Sequence, residues 1–205
     1  MFITFEGIDF CGKSTQVRLL KEYLERKGKT VKIIREPGGT EISEKIRKIL
    51  LDKKHLNLTI ETEIFLFSAS RAQLVREVIQ PYLQKKYFVL SDRFHDSTTA
   101  YQGFGREIPL AIVEQINNLV IGNTIPDLTF FIDIPTEEAE KRKHQNSLIE
   151  LDRIEISKKD FYERVRNGYF YLAEKEKRIK VLNGLQEISI IHNEIIAEVE
   201  KFEKL

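Results

Sequence analysis

The chain has 205 residues and a mass of 24.1 kDa, the size of one ordinary domain. With 41% hydrophobic and 32% charged residues it can fill a core, which excludes a disordered polymer. Its 33 basic and 32 acidic residues leave a net charge of +1, no basis for gripping a nucleic-acid backbone or an anionic membrane, and a lone cysteine excludes an internal disulfide and a cysteine zinc site.

FITFEG at 2–7 ends in glycine and reads as a buried strand. From Lys13 to Lys27 the apolar residues Val17, Leu20 and Leu24 recur at helical spacing, and Gly28 stands where a C-cap belongs. VKII at 31–34 is the second strand, closed by the loop REPGGT at 35–40. A helix around Ile42 to Leu51 carries Ile42, Ile46 and Ile49 or Leu50 on one face. A long helical stretch from Ile60 to Gln84 should kink or break near Pro81. Its Leu66 and Leu74 suit a core or a dimer surface equally. YFVLSD at 87–92 is the third strand. Leu110 to Ile121 is helical and stops at Gly122 and Asn123. LTFFID at 128–133 is the fourth strand, and Pro135 with Thr136 opens another helix. A charged segment at 141–160 precedes a helix near Phe161 to Lys175, and IKVLNG at 179–184 is the fifth strand. The last helix places Ile188, Ile191, Ile195, Val199 and Phe202 on one stripe, read as core packing.

Five apolar strands separated by helices predict a parallel sheet covered on both faces, in a single domain over 1–205. No apolar run approaches the ~20 residues of a membrane span, and Phe2 to Phe5 is too short for a signal peptide. A soluble, cytoplasmic protein without membrane or nucleic-acid partners is expected.

Residues 7–14, GIDFCGKS, match G-x-x-x-x-G-K-[ST] directly after a strand and opening a helix. The glycines let main-chain amides form a nest for phosphate, with the helix N-terminus behind it. Gly7, Ile8, Asp9, Phe10, Cys11, Gly12, Lys13, Ser14 and Thr15 are therefore assigned to ATP, with Lys13 between the β- and γ-phosphates and the Ser14 hydroxyl on Mg²⁺. Phe10 and Cys11 are bulky for such a loop, so their side chains should point away from the nucleotide. Cys11 reads as a small packed side chain rather than a nucleophile. No N-K-x-D exists, and the only D-x-x-G, Asp9 to Gly12, lies inside the loop, which excludes a GTPase. A small kinase of P-loop NTPase-type, three-layer α/β/α architecture fits.

Three further segments near strand C-termini suit a second phosphorylated ligand. Arg35-Glu36-Pro37 follows strand two. In LFSASR at 66–71, Phe67 and Arg71 fall four apart on one helix face, an aromatic surface and a guanidinium fork for a base and its carbonyl. In SDRFHDSTTAYQG at 91–103, Asp92 can hold a metal-bound water, Arg93 can fork onto phosphate, and Tyr101 with Gln102 can shape a sugar and base pocket.

FEGID…GKSTQ at 5–16, REPGGT, LFSASR, DRF…S…AYQG at 92–103 and LDRIE at 151–155 together resemble thymidylate kinases of bacterial type. The resemblance implies ATP- and Mg²⁺-dependent phosphorylation of dTMP to dTDP by a homodimer with five parallel strands and a mobile lid at about 141–156. It implies that Phe67 stacks on thymine and Arg71 donates to its O4. Tyr101 would crowd the position of a ribonucleotide's 2′-hydroxyl, and Asp9 would accept from the 3′-hydroxyl. Arg93 with Arg35 would hold the dTMP phosphate, Ser97, Thr98 and Gln102 would line the base pocket with Glu36 and Pro37, and Asp92 would order Mg²⁺ and its waters.

The chain departs from relatives in two places. Phe10 stands where some members carry a basic residue, and the lid has only Arg142 before Arg153, with His144 and Asn146 where arginines are expected. Arg142 is assigned beside the adenine or phosphates, and Arg153 to transition-state charge, with Lys143 as a substitute. His95 reads as a surface or capping residue. The competing readings are a deoxynucleoside kinase, in which Glu36 imitates the base, and an inactive nucleotide-binding homologue.

Overall fold

In the computed structural model, which describes residues 1–145, 152–154 and 159–203, five strands form one parallel sheet. They are β1 (Phe2–Glu6), β2 (Val31–Arg35), β3 (Phe88–Asp92), β4 (Leu128–Asp133) and β5 (Ile179–Asn183), in the spatial order β2-β3-β1-β4-β5. Central β1 pairs with both β3 and β4, so Ile3 stands beside Leu90 and Leu128. Every β1 residue is buried, as a strand covered on both faces requires. The edge strands instead expose Ile33 and Val181 in part.

Around the sheet lie α1 (Lys13–Arg26), α2 (Glu41–Leu51), α3 (Ile60–Leu74), α4 (Gln80–Gln84), α5 (His95–Thr98), α6 (Leu110–Ile121), α7 (Thr136–Gln145), α8 (Lys159–Lys175) and α9 (Ile188–Glu203). Successive residues of β3 alternate between two cores, as strand geometry dictates. Phe88 and Leu90 pack with Val17, Leu20 and Leu24 of α1 and with α8 and α9. Val89 packs with Leu74, Val75, Ile79 and the Val120–Ile121 pair of α6. Leu74 is thus core, while Leu66 is half-buried.

The break expected near Pro81 is present: the chain widens into a π turn over Val75–Ile79 and restarts at Gln80, so the proline sits in a first turn where its missing N–H is surplus. Two expectations change. On α2, Ile42 and Ile49 face solvent while Ser43 and Leu50 point inward, because the Ser43 hydroxyl donates to the Ser70 carbonyl at 2.8 Å and its amide to the capping Thr40 side chain at 3.0 Å. On α9, Ile191, Ile195 and Val199 are buried, but Ile188 and Phe202 at its ends are exposed. A second π turn, Thr99–Gly105, carries the AYQG segment and had no counterpart in the sequence reading. The C-terminal ends of β1, β2 and β3 deliver the phosphate loop, the 36–40 loop and the 93–102 segment to one sheet edge.

Candidate active site

A crevice of about 710 Å³ opens at that edge. Its walls unite Lys13, Ser14 and Thr15 with Arg35, Phe67, Arg71, Arg93 and Tyr101, so both predicted half-sites share one cavity.

The donor end is built from main chain. Gly7 and Gly12 take φ values of +137° and +101°, and a Cβ at Gly7 would stand 2.5 Å from the Ile132 carbonyl oxygen. Gly12 leads straight into α1, whose first turn holds no acidic residue, leaving its positive end to an anion. Lys13 Nζ donates to the Gly7 and Ile8 carbonyls at 3.1 and 2.9 Å. Cys11 turns into the core as expected, and burial pushes its thiol pKa up against the opposing charge of Lys13, so it stays protonated. Phe10 takes a left-handed φ of 65° and lines the crevice wall. Its carbonyl accepts from Arg142 Nη1 at 3.4 Å, while Arg142 Nη2 donates to the Gly184 carbonyl at 3.0 Å and places the guanidinium at the nucleotide end.

The Ser14 hydroxyl donates to Asp92 Oδ2 at 2.6 Å. One hydroxyl and one carboxylate are hard oxygen donors that fit Mg²⁺, an ion that keeps several waters and takes its other ligands from substrate phosphates. Among the described residues no group of three or more His, Cys, Asp or Glu side chains forms a protein-only metal site.

Arg93 joins the two ends. Its backbone is left-handed, with φ of 72°. Nη1 donates to the Gly7 carbonyl at 2.8 Å, and Nη2 to Asp9 Oδ1 at 2.5 Å and to the Tyr101 hydroxyl at 3.0 Å. The guanidinium lies 4.8 Å over the Tyr101 ring. Burial pushes the Asp9 pKa up, but Arg93 and Lys13 outweigh it and hold the carboxyl below its ordinary range. Asp9 Oδ2 accepts from the hydroxyls of Tyr101 and Tyr162, each at 3.2 Å.

Beneath Arg93 lies Glu6, fully buried at the end of β1. It accepts from the Phe94 amide at 2.7 Å, the Ser97 hydroxyl at 2.6 Å and the Tyr169 hydroxyl at 3.0 Å. Burial first, then the charge of Asp96, pushes its pKa up to about 7. Glu6 therefore fixes the backbone and hydroxyl that flank Arg93.

At the acceptor end Arg71 is 1% exposed. Nε donates to Glu36 Oε2 at 2.7 Å, Nη1 to Thr98 Oγ1 at 2.7 Å and Nη2 to the Phe94 carbonyl at 3.1 Å. Glu36 is accordingly the partner of Arg71, and its Oε1 is buried without a hydrogen-bond partner. Phe67, Ser97, Thr98, Gln102 and Pro37 line the same end. Arg35 is half-exposed and paired with Glu44 at 3.1 Å. Arg47 of α2 donates to the Pro37 carbonyl at 2.8 Å and adds a cation to the wall that the sequence reading missed. Burial and then the adjacent Arg35 charge lower its pKa.

Three residues stand elsewhere than expected. Arg153 does not line the crevice: it is buried against Glu63 at 2.7 Å and the Leu50 carbonyl at 2.8 Å. Lys143 lines a separate small cavity with Asp9, Phe10 and Tyr162. His95 is half-buried rather than on the surface, and its pKa is lowered to about 4 by desolvation against the pull of Asp96. The neutral ring stands 3.3 Å from Arg178, which forks onto Asp96 at 2.7 and 2.8 Å. Of the lid at 141–156, residues 146–151 and 155–156, including Asn146, lie outside the described residues.

Glu6 had a signal in the sequence, a carboxylate inside an apolar strand. Tyr162 and Glu63 had none, since only the tertiary fold brings them to Asp9 and Gln102.

The family model for thymidylate kinase matches residues 5–195. A thymidylate kinase from Kosmotoga olearia is 50% identical over 199 residues, 97% of this chain and 94% of its own. One from Thermosipho africanus is 50% identical over 98% of each chain. The crystal structure of thymidylate kinase from Ehrlichia chaffeensis superposes with a TM-score of 0.79 at 38% identity, over 98% of both chains.

Proposed function

The chain belongs to the thymidylate kinase family and transfers the γ-phosphoryl group of ATP to dTMP, giving dTDP; from that premise we propose how its own residues perform the step. Gly7 to Thr15 hold the ATP phosphates on main-chain amides, with Lys13 on the β,γ bridge and Arg142 beside the nucleotide. Ser14 and Asp92 would hold Mg²⁺, which when bound would neutralise phosphate charge. Phe67 stacks on thymine, Arg71 donates to O4, and Ser97, Thr98 and Gln102 complete the base pocket with Glu36 and Pro37. Tyr101 rejects a 2′-hydroxyl and Asp9 accepts from the 3′-hydroxyl.

Arg93 and Arg35 carry the dTMP phosphate toward the donor. One of its oxygens forms a bond to the γ-phosphorus as the bond from that phosphorus to the ADP oxygen breaks. The acceptor oxygen is already ionised at neutral pH, so the site needs no general base, only positioning and neutralisation. This explains why the half-buried, neutral His95 has no chemical role.

A second copy of the chain covers the outer face of α3 and α6. Phe65 and Leu119 there are 61% and 79% exposed, and Ile112 and Ile125 continue the apolar surface. Light scattering should report a homodimer that Phe65→Asp dissociates. A cytoplasmic location accords with one buried cysteine and with the described residues' lack of a helix long and apolar enough to cross a membrane.

The observation that carries this reading is the single crevice with Lys13 at one end, Phe67 and Arg71 at the other, and Arg93 between them. A coupled assay with ATP, Mg²⁺ and each nucleoside monophosphate should show preference for dTMP, no comparable turnover of thymidine, and loss of activity in Arg93→Ala. Preference for UMP, CMP, AMP or GMP would overturn the acceptor assignments.

A further inference from the structure

Glu63 stands on α3 one turn before Phe67 and two before Arg71, on the same helix face. It does not line the crevice, and it is 1% exposed. Its carboxylate gathers three side chains. Oε1 accepts from Gln102 Nε2 at 3.0 Å and Arg106 Nε at 3.1 Å, and Oε2 accepts from Arg106 Nη2 at 3.3 Å and Arg153 Nη2 at 2.7 Å. The far side of Arg106 rests 4.4 Å over the Phe161 ring. Burial pushes the Glu63 pKa up, but Arg106, Gln102 and Arg153 reverse this and keep it below the ordinary carboxylate range. An ionised carboxylate only accepts, so it dictates which end of the Gln102 amide faces it. The NH₂ is held inward, and the carbonyl is what Gln102 has left to offer the crevice it lines. Thymine presents an N–H at N3, whereas cytosine presents a lone pair there.

Arg153 is fixed from two directions. Its amide donates to the Leu51 carbonyl at 3.1 Å and its Nε to the Leu50 carbonyl at 2.8 Å, so residues 152–154 are pinned to the end of α2. Two guanidinium groups on one buried carboxylate make removal of any member felt by the others.

We propose that Glu63 is a positioning residue for base selection, orienting the Gln102 amide toward the N3 of the base, and that Arg153 acts through Glu63 instead of on the phosphates. The proposal rests on dTMP being the acceptor, and wild-type turnover of dTMP is the control that tests that premise separately.

Steady-state kinetics of wild type, Glu63→Gln, Arg153→Met and the double variant, with dTMP and dCMP as alternative acceptors, decide it. Glu63→Gln should raise KM for dTMP about tenfold and narrow the dTMP/dCMP preference by a similar factor, with kcat and KM for ATP changed by less than about threefold. Arg153→Met should move the same parameters in the same direction, and the double variant should be no worse than Glu63→Gln alone. A roughly hundredfold fall in kcat for Arg153→Met with KM for dTMP unchanged would overturn the proposal and return Arg153 to the transferred phosphoryl group. So would an unchanged dTMP/dCMP preference in Glu63→Gln. Should Glu63→Gln fail to fold, Gln102→Met with wild-type circular dichroism takes its place: lost preference supports the proposal, and retained preference overturns it.

Discussion

The two ends of the crevice are built by different means. The donor end is main chain: two left-handed glycines, a run of amides and a helix N-terminus, all within residues 7–15. The acceptor end is side chains from β2, α2, α3 and the turns after β3, and its two most enclosed cations come with their own anions. Arg71 is held by Glu36 and Arg93 by Asp9. Amide dipoles are fixed by the covalent chain and need no partner to aim them. Long guanidinium side chains do, and each carboxylate fixes an orientation before any ligand arrives. Binding by dipoles therefore costs little elsewhere in the molecule, whereas binding by guanidinium forks commits buried carboxylates to the site.

Breaking the donor end should have the largest effect. Lys13→Ala removes the one positive side-chain charge in the loop nest, and turnover should fall about a thousandfold or more while KM for dTMP stays within about threefold. Steady-state kinetics with each substrate varied check this. A matching rise in KM for dTMP would mean that the two ends do not act separately.

At the acceptor end the cost should appear in stability as well. Arg71→Met leaves Glu36 buried without its partner, and denaturant unfolding should show a loss of about 3–5 kcal/mol with weaker dTMP binding and blurred base choice. Adding Glu36→Gln should restore most of the stability but not the dTMP affinity. If the single variant folds with wild-type stability, Glu36 is not held as a charged partner and the contrast between the two ends fails.

This contrast also decides what the sequence could reveal. All five strands, the α1 and α6 boundaries and the start of α7 were legible because apolar periodicity and the glycine and proline signals around them agree with the tertiary outcome. The phosphate loop was legible because a main-chain nest needs contiguous residues. Phe67 and Arg71 were legible from helical spacing. Glu36 was seen as a pocket residue or an imitation of a base but not as the partner of Arg71, because nothing local states that it pairs with that guanidinium. The contact of Arg153 with Glu63 was hidden for the same reason, since its partner lies 90 residues away. The left-handed backbone of Phe10 went unread because such a conformation in a non-glycine residue leaves no mark in the sequence.

Glu6 offers a pH-dependent test of the ground beneath Arg93. A carboxyl with a pKa near 4.5 when unfolded and about 7 when folded binds more protons in the folded state between those values. Its favourable contribution is present below about pH 4.5 and is lost as pH rises through about 7. The stability difference between Glu6→Gln and wild type should therefore shift in favour of the variant across that window by about 3 kcal/mol, then level off. Thermal melts of both proteins at intervals from pH 4.5 to 8 measure it. A difference independent of pH would show Glu6 ionised throughout, with Ser97, Tyr169 and the Phe94 amide outweighing burial.

The smallest effect lies on the border between the two ends. The Tyr162 hydroxyl stands 3.2 Å from Asp9 Oδ2 and 3.3 Å from the Ile154 carbonyl, and one proton serves both. Burial, and then the Asp9 charge, hold its pKa far above the ordinary phenol range, so it donates at every working pH. Tyr162→Phe removes one of the donors to Asp9 and leaves Arg93 and Tyr101 in place. A partly shared bond at these distances is worth about 1 kcal/mol, or about fivefold in binding. If Asp9 belongs to the acceptor end through the 3′-hydroxyl, KM for dTMP should rise by about that factor, with little change for 3′-deoxythymidine monophosphate and none for ATP. A rise confined to KM for ATP would put Asp9 and Tyr162 on the donor side and move the border to Arg93.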